Sequence, residues 1–417
     1  KLLAALRRWA PTGLHLRPPQ VAALLAIEAF GIDNNPGTRN QLLSFIFGSL
    51  ALYQSPEAGQ ITDIAFNLDD TVLLTGNVYC KTDTLFVCLD SALKFWNVSR
   101  AGEVITRLAQ GETRKQGSYD ALAIHPAGET VATAFCDLAE NTYRCDKEDI
   151  IVWDITTRTR TGLQTSITKD AANQGISNNA QVLMAYSPDG KILAVGLNGN
   201  TLLLLDAQTL TEIARLPERY ESFQMVFSQD SKFLIFANNG KLILLNAVTR
   251  QKTELPAGNG TKSVLSVAVS PDGQYIASGD RQGYITLWDT ATLKKLEPSL
   301  KYDVAKVASL AFSPNSNFLA AGYDDKGLII WDLASKQRMT RAFYNHTSNA
   351  VYALAFSHDG KTLASTASEI ILWTLDPAQW VRLACKAATR NLSQAEWLLY
   401  FPNQEYRQTC PQWPAGR

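Results

Sequence analysis

The chain has 417 residues, 46% of them apolar, which is ample for a large core. Its 39 basic and 39 acidic side chains cancel, so no net field gathers nucleic acid or an anionic membrane. No apolar run approaches the ~20 residues that span a bilayer; the nearest, residues 21–30, is interrupted by Glu28.

In chain order, Arg7 and Arg8 follow rather than precede the first apolar residues, the reverse of a secretory signal. There is no initiating Met. The expectation is a piece of a longer protein, or a processed product, in the cytoplasm. Pro18 and Pro19 precede QVAALLAIEAF, which ends at Gly31, and Pro36 opens TRNQLLSFIF, which ends at Gly48. Pro at a helix start and Gly past its end are the usual asymmetry, so residues 1–48 are predicted to hold a helical hairpin. An apolar run, residues 49–53, follows.

From there one pattern recurs: an apolar strand, a tight turn, a second strand, and a third ending in Trp-Asp or a relative. The clearest copies span residues 263–290, 307–333 and 351–375; fainter ones span 181–207 and 222–247, and two with insertions span 61–98 and 119–155. The third strands end at Trp96, Trp153, Leu205, Leu245, Trp288, Trp331 and Trp373, and the last four intervals are 40, 43, 43 and 42 residues. Ser187-Pro188-Asp189-Gly190 and Ser270-Pro271-Asp272-Gly273 suit tight turns, with Pro pre-setting φ and Asp bonding the backbone beyond it. Ser357-His358-Asp359-Gly360 and His125-Pro126-Ala127-Gly128 fill the same slot. One such small sheet cannot bury both its faces; radial stacking does. The outcome is an all-β fold, a seven-bladed propeller over residues 49–375. No outer strand follows Trp373, so residues 49–53 are predicted to pair with the last third strand and close the ring.

The period, with Trp96-Asn97, Trp153-Asp154, Trp288-Asp289 and Trp331-Asp332, resembles the WD40-repeat family. That family's Gly-His pair is missing from every repeat, Asn345-His346 being the nearest echo. The resemblance therefore departs from the family at its hydrogen-bonded tetrad, and apolar packing is expected to hold the blades instead. Residues 376–417 are expected to form a helical tail. Through Trp380, Cys385, Arg390-Asn391-Leu392, Glu396-Trp397, Tyr400, Tyr406 and Cys410-Pro411 the tail is similar to that of bacterial WD-repeat proteins of the STAND signalling class. The resemblance implies a sensor propeller coupled to an upstream NTPase module. Trp380, Trp397 and Trp413 are expected to pin the tail to the propeller rim.

Catalytic chemistry finds little support. Residues 257–263 lack the G-x-x-x-x-G-K-[ST] spacing and join two strands, so they are expected to be a turn without nucleotide. Of the four histidines, His15, His125, His346 and His358, no pair has metal-ligand spacing, and His125 and His358 lie in turns. The inner strands offer Ser, Ala, Ile and Val, against a channel enzyme. Cys80, Cys88, Cys136 and Cys145 fall in the two insertions, where they could bind zinc, bridge each loop or stay free; a reducing compartment favours free thiols. Cys385 and Cys410 could pair to lock the tail, with the same default against it. No catalytic, cofactor or metal residue is therefore assigned.

The expected function is non-catalytic binding of a protein partner, or of an upstream domain of the same protein, with no nucleic acid or membrane partner. Loops on a rigid scaffold carry recognition, and three long ones, residues 76–91, 136–148 and 164–181, belong to neighbouring blades. Tyr79, Lys81, Phe86, Tyr143, Arg144 and Lys147 mix aromatic anchors with charge as interface hot spots do. The competing reading is that these loops only extend hairpins.

Overall fold

The computed structural model describes residues 19–416 apart from 47–50, 55–59, 82–86, 99–104, 111–113, 116, 139–144, 169–181, 198–200, 219, 221, 223, 239, 257–262, 303–304, 340–349 and 368. Two helices lead, α1 (Pro19–Ile32) and α2 (Pro36–Ile46). Asn35 begins α2, its Oδ1 accepting the amides of Gly37 and Thr38 at 2.8 and 3.1 Å.

The strands that follow form seven antiparallel sheets. β1 (Ala51–Gln54) stands ahead of blade 1, which comprises β2 (Gln60–Phe66), β3 (Val72–Lys81), β4 (Val87–Val98) and β5 (Ile105–Gln110), with the short β6 (Arg114–Lys115) also on β4. Blade 2 is β7 (Gly117–Ile124), β8 (Thr130–Leu138), β9 (Cys145–Asp154) and β10 (Thr159–Thr168). Blade 3 is β11 (Leu183–Tyr186), β12 (Ile192–Leu197), β13 (Thr201–Asp206) and β14 (Glu212–Leu216), and blade 4 is β15 (Val226–Phe227), β16 (Phe233–Asn238), β17 (Lys241–Asn246) and β18 (Lys252–Pro256). Blade 5 is β19 (Val264–Val269), β20 (Tyr275–Asp280), β21 (Tyr284–Asp289) and β22 (Lys295–Lys301), and blade 6 is β23 (Val307–Phe312), β24 (Phe318–Tyr323), β25 (Leu328–Asp332) and β26 (Gln337–Arg338). Blade 7 supplies β27 (Ala353–Phe356), β28 (Thr362–Thr366) and β29 (Ile370–Thr374). Its outer strand is β1, with Ala51 opposite Trp373 and Gln54 opposite Ile371. The closure predicted from the sequence is what the chain uses.

The inner strands β2, β7, β11, β15, β19, β23 and β27 touch in succession, and β27 returns to β2. Second and third strands are buried on both faces: β12 and β13 expose almost nothing. Several inner strands carry a register shift near their start, at Ile61/Asp63, Val264/Ser266 and Val307/Ser309. Such a bulge re-aims a side chain. Asp63 Oδ2 accepts the Leu122 amide of blade 2 at 3.2 Å, and Ser266 and Ser309 donate to Val307 and Val351 carbonyls of the next blade at 3.0 and 2.8 Å. The facing residues on the second strands are Gly76, Gly279 and Gly322. A Cβ at Gly322 would lie 2.5 Å from Ser309 Oγ and 2.7 Å from the Val351 carbonyl oxygen, so only glycine admits the next blade there.

The expectation that apolar packing alone holds the blades is corrected. Trp96, Trp153, Trp288 and Trp373 donate their indole N–H to Thr75, Thr133, Ser278 and Ser365 on the second strand, at 2.9, 3.0, 3.2 and 2.7 Å. Half of the hydrogen-bonded tetrad of the repeats that the sequence resembles is present without a histidine, because the indole needs only one acceptor. Blade 6 departs, since Ala321 fills the acceptor position and, among the described residues, Trp331 Nε1 makes no well-formed hydrogen bond, with the Tyr323 hydroxyl beside it. The residue after the tryptophan, or after Leu205 in its place, shapes the next turn: Asp154, Asp206, Asp289 and Asp332 each accept the amide three residues on, at 2.6 to 2.9 Å.

The tail begins where blade 7 ends. Asp376 caps α3 (Pro377–Ala388) and Ser393 forms a capping box with Glu396 on α4 (Gln394–Tyr400). Cys385 and Cys410 are joined as a disulfide, correcting the default of free thiols: both sulfurs are buried side by side in the tail. α1, α2, α3 and the tail share one apolar cluster with blades 6 and 7. Arg39 of α2 pairs with Asp332 at 3.0 Å, and Trp380 donates to the Thr374 carbonyl at 2.9 Å and lies 6.3 Å edge-on to Phe30. Trp380 does pin the tail to the rim. Trp397 and Trp413 instead hold the tail's own fold, donating to the carbonyls of Gln404 and Cys385 at 3.1 and 2.7 Å.

Candidate interaction face and central channel

Antiparallel strands alternate direction, so the hairpins between second and third strands share one end of the ring with the links between blades. The other end carries the remaining turns. On the first end blades 1 and 2 stand out. β3 and β4 have 10 and 12 residues against 6 and 6 for β20 and β21, and β8 and β9 are prolonged likewise. Both insertions therefore continue hairpins at least in their bases. Tyr79 faces Asp90, Cys80 faces Cys88 and Lys81 faces Val87 along the first; Leu138 faces Cys145 along the second.

Of the residues read as an interface, Tyr79 and Lys81 are placed by backbone only, on β3. Phe86, Tyr143 and Arg144 lie outside the described residues, as do 169–181 of the third loop and 257–262. Lys147 is exposed on β9, opposite Thr168, and pairs with Asp149 at 3.1 Å. His15 and His346 also lie outside the described residues.

At the opposite end the turns between first and second strands link into a belt. Each turn's last residue, Asp70, Gly128, Gly190, Ser231, Gly273, Ser316 or Gly360, has φ between 57° and 76°. Where that residue is not glycine, its side chain holds the neighbouring turn. Ser231 and Ser316 accept the amides of Asp189 and Asp272 at 3.0 and 3.1 Å. Asp70 accepts those of His358 and Asp359 at 2.7 and 3.0 Å, across the seam between blades 7 and 1. His125 is part of the belt, its Nε2 3.2 Å from the Gly190 carbonyl. Both turn histidines thus have structural contacts.

The channel is less bland than the inner strands predict. A cavity of about 340 Å³ opens among blades 3 to 6, lined by Tyr186, Met225, Phe227, Val269 and Phe312 with Gln224 among them. Gln224 reaches past blade 5: its amide donates to the Leu310 carbonyl at 3.1 Å and accepts the Leu310 amide at 3.0 Å. Burial pushes the Tyr186 hydroxyl pKa up. Asp63 is raised to about 6, burial outweighing the amides of Leu122 and Ile64. Sequence reasoning passed over Gln224 and Asp63; for Asp63 the signal was a polar residue just inside an inner strand, facing Gly76 on the second. Among the described residues no group of three or more His, Cys, Asp or Glu side chains could hold one metal ion, and no helix is long and apolar enough to cross a membrane.

A family model described as WD domain, G-beta repeat matches residues 250–289, 297–332 and 337–373, so WD repeats make up blades 5 to 7. Similar curated proteins are eukaryotic. THO complex subunit 3 of Arabidopsis thaliana is 23% identical over 238 residues, covering 56% of this chain and 64% of that protein. WD repeat-containing protein 82 of Drosophila melanogaster is 28% identical over 133 residues, 30% of this chain and 42% of its own. Small ribosomal subunit protein RACK1 of Schizosaccharomyces pombe is 31% identical over 113 residues, 25% and 36%. The chain spans less than two thirds of the length of each.

Proposed function

We propose that this seven-bladed WD-repeat propeller is a non-catalytic protein-interaction platform that binds through the end bearing the long hairpins of blades 1 and 2. Tyr79, Lys81, Phe86, Tyr143, Arg144 and Lys147 form its contact surface. The observation that carries this reading is the local prolongation of β3–β4 and β8–β9 on an otherwise regular ring. A rigid ring places such hairpins at low entropic cost, which favours binding. Two similar proteins carry names that place them in assemblies, a THO complex and a small ribosomal subunit.

The finer setting is the sensor part of a bacterial STAND-type signalling protein. Its support is the tail, whose matching residues all serve one compact arrangement. Arg390 pairs with Glu396 at 2.7 Å, Asn391 accepts the Cys410 amide at 2.8 Å, and Tyr406 donates to the Leu392 carbonyl at 2.9 Å. A second reading, a lid on an upstream NTPase, rests on the same tail and on α1 and α2 packing against blades 6 and 7.

The test is a pull-down from a host lysate with the chain as bait, beside a variant with Lys81, Arg144 and Lys147 changed to Glu. Loss of a partner with the variant supports the hairpin end. Equal capture by both places the contact elsewhere and overturns that assignment. No capture by either favours the lid.

A further inference from the structure

The Cys385–Cys410 bridge lies next to a contact that has no role in the ring. α1 is buried along ten consecutive residues, 21–30, and the one charge among them is Glu28, 3% exposed. Both described partners of its carboxylate come from the far end of the chain: Thr409 donates to Oε1 at 2.7 Å, and Arg407 pairs with Oε2. Thr409 directly precedes Cys410. A buried carboxylate stripped of its partners is costly, so displacing residues 407–409 weakens the docking of α1, which its apolar contacts otherwise hold.

The bridge is the one covalent tie among the contacts that keep them there. After α4, residues 401–416 contain no helix and only an isolated pairing of Gly416 with Ser393. Asn391 holds the Cys410 backbone by hydrogen bonds, and the disulfide closes the loop covalently across 25 residues onto α3. Removing such a cross-link enlarges the open ensemble on the order of 10²-fold. Segments with few backbone hydrogen bonds open before the sheets around them, which gives a reductant access to sulfurs that are buried in the closed state.

We propose that the Cys385–Cys410 disulfide is a redox latch that fastens α1 to the tail through Glu28, reducible by a dithiol of the thioredoxin class while the propeller stays folded. A thiolate of the reductant attacks one sulfur, the S–S bond breaks, and the second thiol resolves the mixed disulfide. Two electrons and two protons end on Cys385 and Cys410, and the reductant leaves as its own disulfide. The latch is independent of which partner the propeller binds.

Hydrogen exchange read by mass spectrometry on the full chain tests it, with thiols counted by alkylation. Oxidised protein, protein treated with a reduced thioredoxin, the Cys385→Ser/Cys410→Ser double variant and Glu28→Gln are compared. The proposal expects α1 amides to exchange on the order of 10²-fold faster after reduction and in the double variant. β12, β16 and β20 should be unchanged, and reoxidation should restore α1. Glu28→Gln should loosen both α1 and residues 401–416 with the bridge intact. Verified reduction with α1 still protected would overturn the coupling. A bridge that resists the dithiol until the blades unfold, or reduction that loosens every blade together, would make it a structural bond and overturn the latch.

Discussion

The propeller and its helical cap are stabilised in opposite ways. In the ring the same contacts are made again and again: an indole N–H to a Ser or Thr, an Asp folding the following turn, a turn held by its neighbour. The cap depends on contacts made once, chiefly Glu28 to the tail, Arg390 to Glu396, and Asn391, whose side-chain NH2 is shared among three carbonyls. Repetition spreads the load, which is why Leu205 and Leu245 can replace tryptophan and Ala321 can replace its acceptor without loss of a blade. A contact made once has no such reserve.

The strongest break of that contrast is Asn391→Ala, which removes the Asn391 bonds to the Cys410 amide and to the Cys410 and Pro414 carbonyls, while the Trp413 carbonyl keeps Gln408, and should cost about 3 kcal/mol. The loss should appear as fast exchange in residues 401–416, with blades 3 to 5 still protected; equal loosening of the blades would mean that cap and ring are one cooperative unit. Asp63 is the ring's own exception. Because its folded pKa is raised from 3.8 to about 6, it favours the protonated state. Its contribution is fully present below about pH 4 and is lost as pH rises through 6, by at most about 3 kcal/mol. Its side-chain carboxyl carbon should titrate near pH 6 by NMR, and a midpoint near 4 would place it in solvent. Gly322→Ala pushes a Cβ against the Val351 carbonyl and should lower stability by about 1–3 kcal/mol in chemical denaturation, more than the same change at Gly31, where nothing lies within 4 Å. Smallest is Ala321→Ser, which gives Trp331 the acceptor its counterparts have and should add about 1 kcal/mol. Ser365→Ala should remove a similar amount or more by stranding Trp373.

Much of the ring was legible because its determinants are local and periodic. Strand alternation, the Ser-Pro-Asp-Gly turns and the spacing from Leu205 to Trp373 each depend on a few consecutive residues, and even the closing strand followed from counting strands against blades. The candidate face was legible only as loop length; Lys147 is the one of its residues with a described side chain. Asp63, Gln224 and Glu28 were missed as a class, since a polar residue among apolar neighbours declares its partner only when a distant segment arrives.

The sequence by itself therefore determined the number of blades, the hairpin turns, the closure by β1 and the helices at both ends, all of which follow from patterns a few residues to one repeat long. Tertiary structure alone decided that Gln224 crosses to Leu310, that seven turns link into a belt, that Cys385 meets Cys410, and that Glu28 closes on Arg407 and Thr409. These contacts join residues up to 381 positions apart. For Gln224 and Glu28 the energy comes from satisfying polar groups taken out of water, and burial is a property of the assembled ring and cap that no single stretch of the chain possesses.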